Sequence, residues 1–204
     1  MLSSKDFWEN IYKTKKTEEL SWTEDYPAVS LSFIDCLDLP KSAAIVDIGG
    51  GESKLPETLL KAGFENITVL DISENSIERA KSRLGEKAEK INWIIEDILD
   101  FDCSVRFDYW HDRATFHFLT EPEQISSYIK QAERLINPNG FITIGTFSKS
   151  GPEKCSGLPV IQYDEYSLIK SFSNSFKKLK CELHDHETPF HTRQNFIYCS
   201  MQKI

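Results

Sequence analysis

No apolar run in this sequence approaches the roughly 20 residues that a membrane-spanning helix needs, so no membrane partner is expected. The opening MLSSKDFWEN lacks a basic segment followed by an apolar one, so no secretory signal is read there and the cytoplasm is the expected compartment. Cysteine is scarce and odd in number: five residues, Cys36, Cys103, Cys155, Cys181 and Cys199, with no C-x-x-C pair. That argues against a disulfide framework or a zinc knuckle and for reduced thiols. Positive charge is in deficit, with 24 Lys and Arg against 32 Asp and Glu and a net charge of -8. A phosphate backbone is repelled on average, and no basic run carries interleaved aromatics, so nucleic acid is not an expected partner. Internal repeats and low-complexity segments are also missing.

What is present describes a globular chain. With 40% hydrophobic and 27% charged residues over 204 positions, the composition supports one packed core and excludes disorder. Residues 1–40 mix Phe7, Trp8, Tyr12, Trp22 and Tyr26 with charges and end at Pro40, which predicts a helical N-terminal extension or lid; residues 41–204 form the main domain. There, short apolar runs alternate with longer amphipathic ones. Ala43–Ile48, Ile67–Leu70, Ile91–Ile95, Phe107–Trp110 and Phe141–Phe147 read as strands. Glu52–Ala62, Glu74–Leu84 and Glu121–Ile136 read as helices, the second capped by Ser73 and ended by Gly85. Asn137 to Gly140 reads as a turn. After Pro152, Tyr163–Phe172 looks helical, and Phe176–Leu183 and Gln194–Met201 read as a pair of strands. The alternation predicts an α/β fold: a doubly wound, mostly parallel sheet with an antiparallel edge hairpin.

The central signal is the strand that ends in Asp47 and the glycine turn Gly49-Gly50-Gly51. In open parallel sheets ligands bind at the carboxyl ends of the strands, and glycine lets the backbone approach them closely. The next strand ends at Asp71, 22 residues after Gly49, where a carboxylate can accept from both hydroxyls of a ribose. A dinucleotide site is the competitor, but it requires a small residue where Lys54 stands, and Glu52 is ill placed beside a pyrophosphate.

Asp47-Ile48-Gly49-Gly50-Gly51, Leu70-Asp71-Ile72-Ser73 and Glu96-Asp97-Ile98, in this order and spacing, resemble the first three motifs of class I methyltransferases that use S-adenosylmethionine (SAM). The resemblance covers about residues 42–147, and the edge hairpin extends it to the C-terminus. It implies a Rossmann-like fold and SAM as cofactor. It implies that Gly49 and Gly51 shape the turn under the methionine part, with Asp47 and Gly50 beside them. Asp71 would hold the ribose, with Ile72 packing on the adenine and Ser73 following. Asp97 would accept from the adenine amino group, and Ile98 would donate its backbone N–H.

The fourth strand ends in the stretch Tyr109 to Leu119, which resembles the Trp-Asp-Arg-Gly-Ala motif of the thiopurine S-methyltransferase branch. Here His111 replaces the tryptophan and Thr115 follows Ala114. His111, Asp112 and Arg113 are the candidate catalytic residues. His111 or His117 could serve as general base and Arg113 as a clamp on substrate, with Asp112 orienting it; His111 also falls within reach of the cofactor. The structural alternatives are an Asp112–Arg113 ion pair and a core histidine at 117. Trp8, Tyr12 and Trp22 are expected either to close over the sulfonium, where an aromatic face gains cation–π attraction, or to anchor a helix. The loop 146–160 is a candidate substrate loop, with Cys155 as a contact or a packed residue. His184, His186 and His191 fit a solvated hairpin end better than a zinc site, and no metal is expected.

These observations lead to a SAM-dependent methyltransferase acting on a small molecule, a thiol or related soft nucleophile first among them. The alternatives are a protein lysine methyltransferase, since such enzymes also open with Phe-Trp, and a non-catalytic SAM-binding protein. A nucleotide-dependent oxidoreductase is a minor option.

Overall fold

Alternating apolar residues of one short segment serve both faces of the sheet. In β1 (Ala44–Ile48), Val46 and Ile48 enter one core and Ile45 the other. A strand buried on both faces is the mark of a parallel sheet covered by helices. The computed structural model describes residues 3–204, so the first two residues of the predicted extension lie outside it.

The chain begins with α1 (Ser4–Thr14) and α2 (Ala28–Asp35) and then alternates through β1, α3 (Leu55–Lys61), β2 (Asn66–Asp71), α4 (Glu74–Leu84), β3 (Ile91–Ile95), β4 (Phe107–Arg113), α5 (Pro122–Leu135) and β5 (Ile136–Phe147). A two-strand excursion, β6 (Lys154–Cys155) and β7 (Leu158–Pro159), precedes α6 (Glu165–Phe172) and the final hairpin of β8 (Phe176–Glu187) and β9 (Arg193–Lys203). The seven-stranded sheet has the order β3-β2-β1-β4-β5-β9-β8, parallel from β3 to β5 and antiparallel at β9 and β8. The chain winds outward in both directions from β1 and β4, so the crevice of a doubly wound sheet lies where these two strands end.

One core lies under α5 and α6, with Trp110, Tyr128, Ile144, Leu168 and Phe172 fully buried. The other lies under α2 and α3, with Ile34, Leu55, Leu59 and Tyr109. Because α2 also buries Phe33 against Tyr198, it belongs to the body of the domain. What reaches over the strand ends is α1 and the segment up to residue 26.

Three local expectations change. The run Asn137 to Gly140 is not a terminal turn but a wide bulge inside β5: Ile136 pairs with Phe107, then Phe141 pairs with Tyr109, and Asn139 takes a φ of 64°. β4 runs to Arg113, so the polar stretch after Trp110 begins on the strand. Cys181 and Cys199, expected as reduced thiols, form a disulfide, because β8 and β9 place them directly opposite each other; Cys36, Cys103 and Cys155 are free. No helix among the described residues is long and apolar enough to cross a membrane.

Candidate active site

The turn after β1 depends on glycine for reasons the structure makes specific. Gly49 has a φ of 63°, and a Cβ there would overlap the Thr115 hydroxyl. Gly51 has a φ of 36°, and its Cβ would lie 2.7 Å from Asp71 Oδ2. Both crowding neighbours belong to the surrounding site, so the turn is packed tightly between the ends of β2 and β4.

A cleft of about 960 Å³, mouth included, opens above this turn. At one end Leu70, Ile72, Ile98 and Leu99 form apolar walls with the carboxylates of Asp71, Glu96 and Asp97 among them. Asp71 Oδ1 accepts from the Ser73 backbone N–H at 2.8 Å. Burial raises the Asp71 carboxyl to about 6, against the hydrogen bonds from Ser73 and Ser76. Ser73 itself does not line the cleft; it positions Asp71 and caps α4. Asp97 Oδ1 accepts from Leu99 N–H at 2.9 Å, which shapes the turn at this end of the cleft.

The other end, at β4 and β5, is aromatic. Trp8 meets Trp22 and Phe118 edge to face, with ring centroids 5.8 and 5.0 Å apart. Ala114, Arg113 and Cys155 complete the wall. Ala114 has a φ of 69°, a left-handed turn that carries Thr115 under the glycine turn, where its hydroxyl donates to Ile48 O at 3.3 Å. Arg113 Nε donates to Tyr198 OH at 3.0 Å and Nη1 to Trp22 O at 2.6 Å, while Nη2, buried without a hydrogen-bond partner, lies 3.2 Å from Glu24. Its charge is matched within the protein, so it fastens the Trp22 segment to β4.

The remaining candidate bases do not reach the acceptor end. His111 is buried, its Nδ1 is 2.7 Å from Asp47 Oδ1 and its Nε2 2.9 Å from Ser30 Oγ. Both ring nitrogens are engaged, so His111, expected as a candidate general base, links β1, β4 and α2 in the structure. Asp112 is fully buried away from the cleft and accepts from Thr115 N–H, Phe116 N–H and Tyr128 OH at 3.0, 3.2 and 2.6 Å. It caps the turn after β4 and makes no ion pair with Arg113, which corrects both the orienting and the ion-pair expectations. His117 is fully buried, accepts from Phe147 N–H at 3.3 Å and stacks on the Phe147 ring. Burial, helped by Arg113, lowers its imidazole from 6.5 to about 3, so it stays neutral.

The unfolded chain therefore takes up a proton near pH 6.5 that the folded state refuses. Stability contributed by His117 is present above that pH and lost as pH falls. We expect wild type to lose about 1.4 kcal/mol per pH unit below about 6 relative to His117→Phe, read from urea unfolding at pH 7 and pH 5.

Beneath the cleft, an inner pocket lined by Ser30, Asp47, Gly49, Gly50, His111 and Arg113 holds an oxygen of particular interest. Asp47 Oδ2 is buried without a hydrogen-bond partner. An unpaired buried carboxylate oxygen is costly, and here it offers an acceptor for an ammonium group. The donor set thus fits SAM: Asp47 for the amino group, Asp71 for the ribose hydroxyls, Glu96 and Asp97 for the adenine end, and an aromatic wall for a sulfonium. None of these positions presents a phosphate cradle.

The histidines at the hairpin end gather no metal site, and no group of three or more metal-binding side chains occurs among the described residues. His186 departs from the expected solvated end: it is buried, with Nε2 2.8 Å from Ser21 O, and helps hold the segment over the cleft. Glu9, Ser30 and Thr115 take part in the site's architecture without having been candidates. Their partners lie 64 to 81 positions away, and no motif marks them.

Comparison with known proteins points to the same cofactor. A methyltransferase-domain family model matches residues 45–140. Malonyl-acyl-carrier-protein O-methyltransferase 2 of Ilyobacter polytropus is 30% identical, aligned over 97% of this chain and 79% of its own length. EEF1A lysine methyltransferase 2 of Danio rerio is 27% identical over 70% of this chain and 68% of its own. The structure of Burkholderia thailandensis 1,6-didemethyltoxoflavin-N1-methyltransferase, with bound 1,6-didemethyltoxoflavin and S-adenosylhomocysteine, is similar with a TM-score of 0.70 and 17% identity, covering 98% of this chain and 84% of that one. The chain belongs to the class I SAM-dependent methyltransferases.

Proposed function

We propose that this methyltransferase acts on a small molecule that brings its own lone pair to the cleft, a thiolate or an unprotonated ring nitrogen. The observation that carries this reading is the absence of a base at the aromatic end, among the described residues. His111 and Asp112 spend their polar atoms on buried partners, His117 is fully buried and does not line the cleft, and Arg113 is ion-paired with Glu24. The Cys155 thiol is pushed up to about 11 by burial, and burial raises the Tyr12 phenol as well, so neither is an acceptor of protons at neutral pH.

The cofactor supplies a methyl group on a positively charged sulfur, which an acceptor lone pair takes without an acid or base. The protein contributes position and dryness: Trp8, Trp22 and Phe118 exclude water around the acceptor. A soft nucleophile gives up its hydration more cheaply than a carboxylate. The Danio rerio relative is named for lysine methylation, and that reaction requires an ammonium to lose a proton first. The covering segment, held down through Arg113 and His186, further favours an acceptor small enough to be enclosed.

The test is methyl transfer to a series of small thiols of graded acidity. The pH at which kcat/KM rises should move with the thiol. A rise at one fixed pH for every thiol would reveal a protein base and defeat the reading.

A further inference from the structure

We propose that Glu9 and Arg79 form a reciprocal pair of helix caps that latches α1 over the cofactor slot and sets how long the cofactor stays bound. The proposal rests on the reading of α1 as part of a lid. Glu9, on α1, places its carboxylate at the N-terminus of α4. It accepts from the backbone N–H groups of Glu74 at 2.6 Å and Asn75 at 3.2 Å, from the Ser73 hydroxyl at 3.1 Å, and from the Asn75 side-chain amide. The first N–H groups of a helix have no partner within it, and the positive end of its dipole favours an anion. α4 already has its own cap in Ser73, which accepts from Ser76 N–H. The additional cap comes from another helix.

Arg79, on α4, returns the favour at the C-terminus of α1. Its Nη2 donates to Tyr12 O, a last-turn carbonyl that a helix end leaves unpaired, and, at 2.6 Å, to Lys15 O at the C-cap. The same guanidinium lies 3.3 Å from Glu52, which accepts from the Thr17 hydroxyl just beyond α1. Each helix therefore completes the terminus of the other, and both bonds cross the same interface.

Two features make this a latch and not ordinary packing. The apolar residues of α1, Ile11 and Tyr12, form a small cluster with Leu20, Phe7, Trp8 and Trp22, separate from both sheet cores. The side-chain hydrogen bonds that join α1 and its C-terminal end to α4 are those of Glu9 and Arg79. In addition, the turn that Glu9 grips is the one whose Ser73 N–H orients the ribose carboxylate of Asp71. From the same helix, Ser4, Trp8 and Tyr12 face the cleft.

The test is the dissociation rate of S-adenosylhomocysteine, followed by tryptophan fluorescence after rapid mixing with a chase, in wild type, Glu9→Ala, Glu9→Gln, Arg79→Ala and the double variant. Each alanine variant should release the ligand about tenfold faster, the scale of one or two charge-assisted bonds. The double variant should be well short of their product, because either opening frees the same element. Glu9→Gln should recover part of the loss. Without ligand, amide exchange over residues 4–16 should rise in both alanine variants while β1 and β4 stay protected. Unchanged dissociation would overturn the proposal, and so would unchanged α1 exchange. So would faster exchange throughout β1 and β4, which would mark a general folding role. Failure of wild type to bind S-adenosylhomocysteine would count against the cofactor assignment instead, and the ligand-free exchange would still report on the latch.

Discussion

Asp71→Ala is expected to weaken S-adenosylhomocysteine binding at least about 100-fold, because two charge-assisted hydrogen bonds to a ribose are worth about 1.5–3 kcal/mol each. The carboxylate is buried, oriented by Ser73 and crowded by Gly51, so no neighbour can take its place. The same residue gives binding a pH dependence. Its folded carboxyl lies at about 6, raised by burial above the ordinary 3.8. The ionised form is the better acceptor, so affinity should hold above pH 7 and be about tenfold weaker at pH 5, as one-proton linkage requires. Calorimetric titration of both proteins at pH 7.5 and pH 5 checks this. Equal affinity in the alanine variant, or a flat pH response in wild type, would remove Asp71 from the cofactor site.

Asp112→Ala should act on folding before it acts on catalysis. It strips a fully buried acceptor from Thr115 N–H, Phe116 N–H and Tyr128 OH, and Tyr128 in turn receives the Trp110 indole N–H at 2.9 Å. Each buried group left unpaired costs about 1–3 kcal/mol, so a loss of about 3–5 kcal/mol in urea unfolding is expected. Burial also raises this carboxyl to about 6. Between its ordinary value and about 6 the folded state holds a proton that the unfolded chain does not. The contribution of Asp112 is therefore larger at pH 5 than at pH 7, and the destabilisation of the alanine variant should grow in acid. A variant as stable as wild type yet inactive would return Asp112 to the list of catalytic residues.

The fold was legible because its signals are local. β1 reads as a buried strand from the six adjacent residues Ala43–Ile48, and Ser73 and Gly85 bracket α4 in the sequence as they do in the structure. The residues expected at the cofactor were legible as neighbours for the same reason: Gly49, Asp71 and Asp97 lie at or just beyond strand ends and line one cleft. The acceptor half was not. His111, Asp112, Arg113 and His117 form a polar run that invites a catalytic reading, yet its partners come from elsewhere. Asp47 and Ser30 take both nitrogens of His111 from 64 and 81 positions away. Tyr128 and Phe147 take up Asp112 and His117 from the next helix and strand. Polar groups that a sequence shows as exposed chemistry are here consumed as the internal hydrogen bonds of a buried turn. The disulfide escaped for a related reason, since only the register of β8 on β9 brings Cys181 to Cys199.

The most direct test of the account is where the methyl group goes. The protein is incubated with methyl-tritiated SAM and an extract of its source cells, and the products are separated by mass. The account predicts label in the low-mass fraction, with none in protein above a no-enzyme control. Label confined to a protein band would contradict it, and would make a lysine side chain the acceptor to examine.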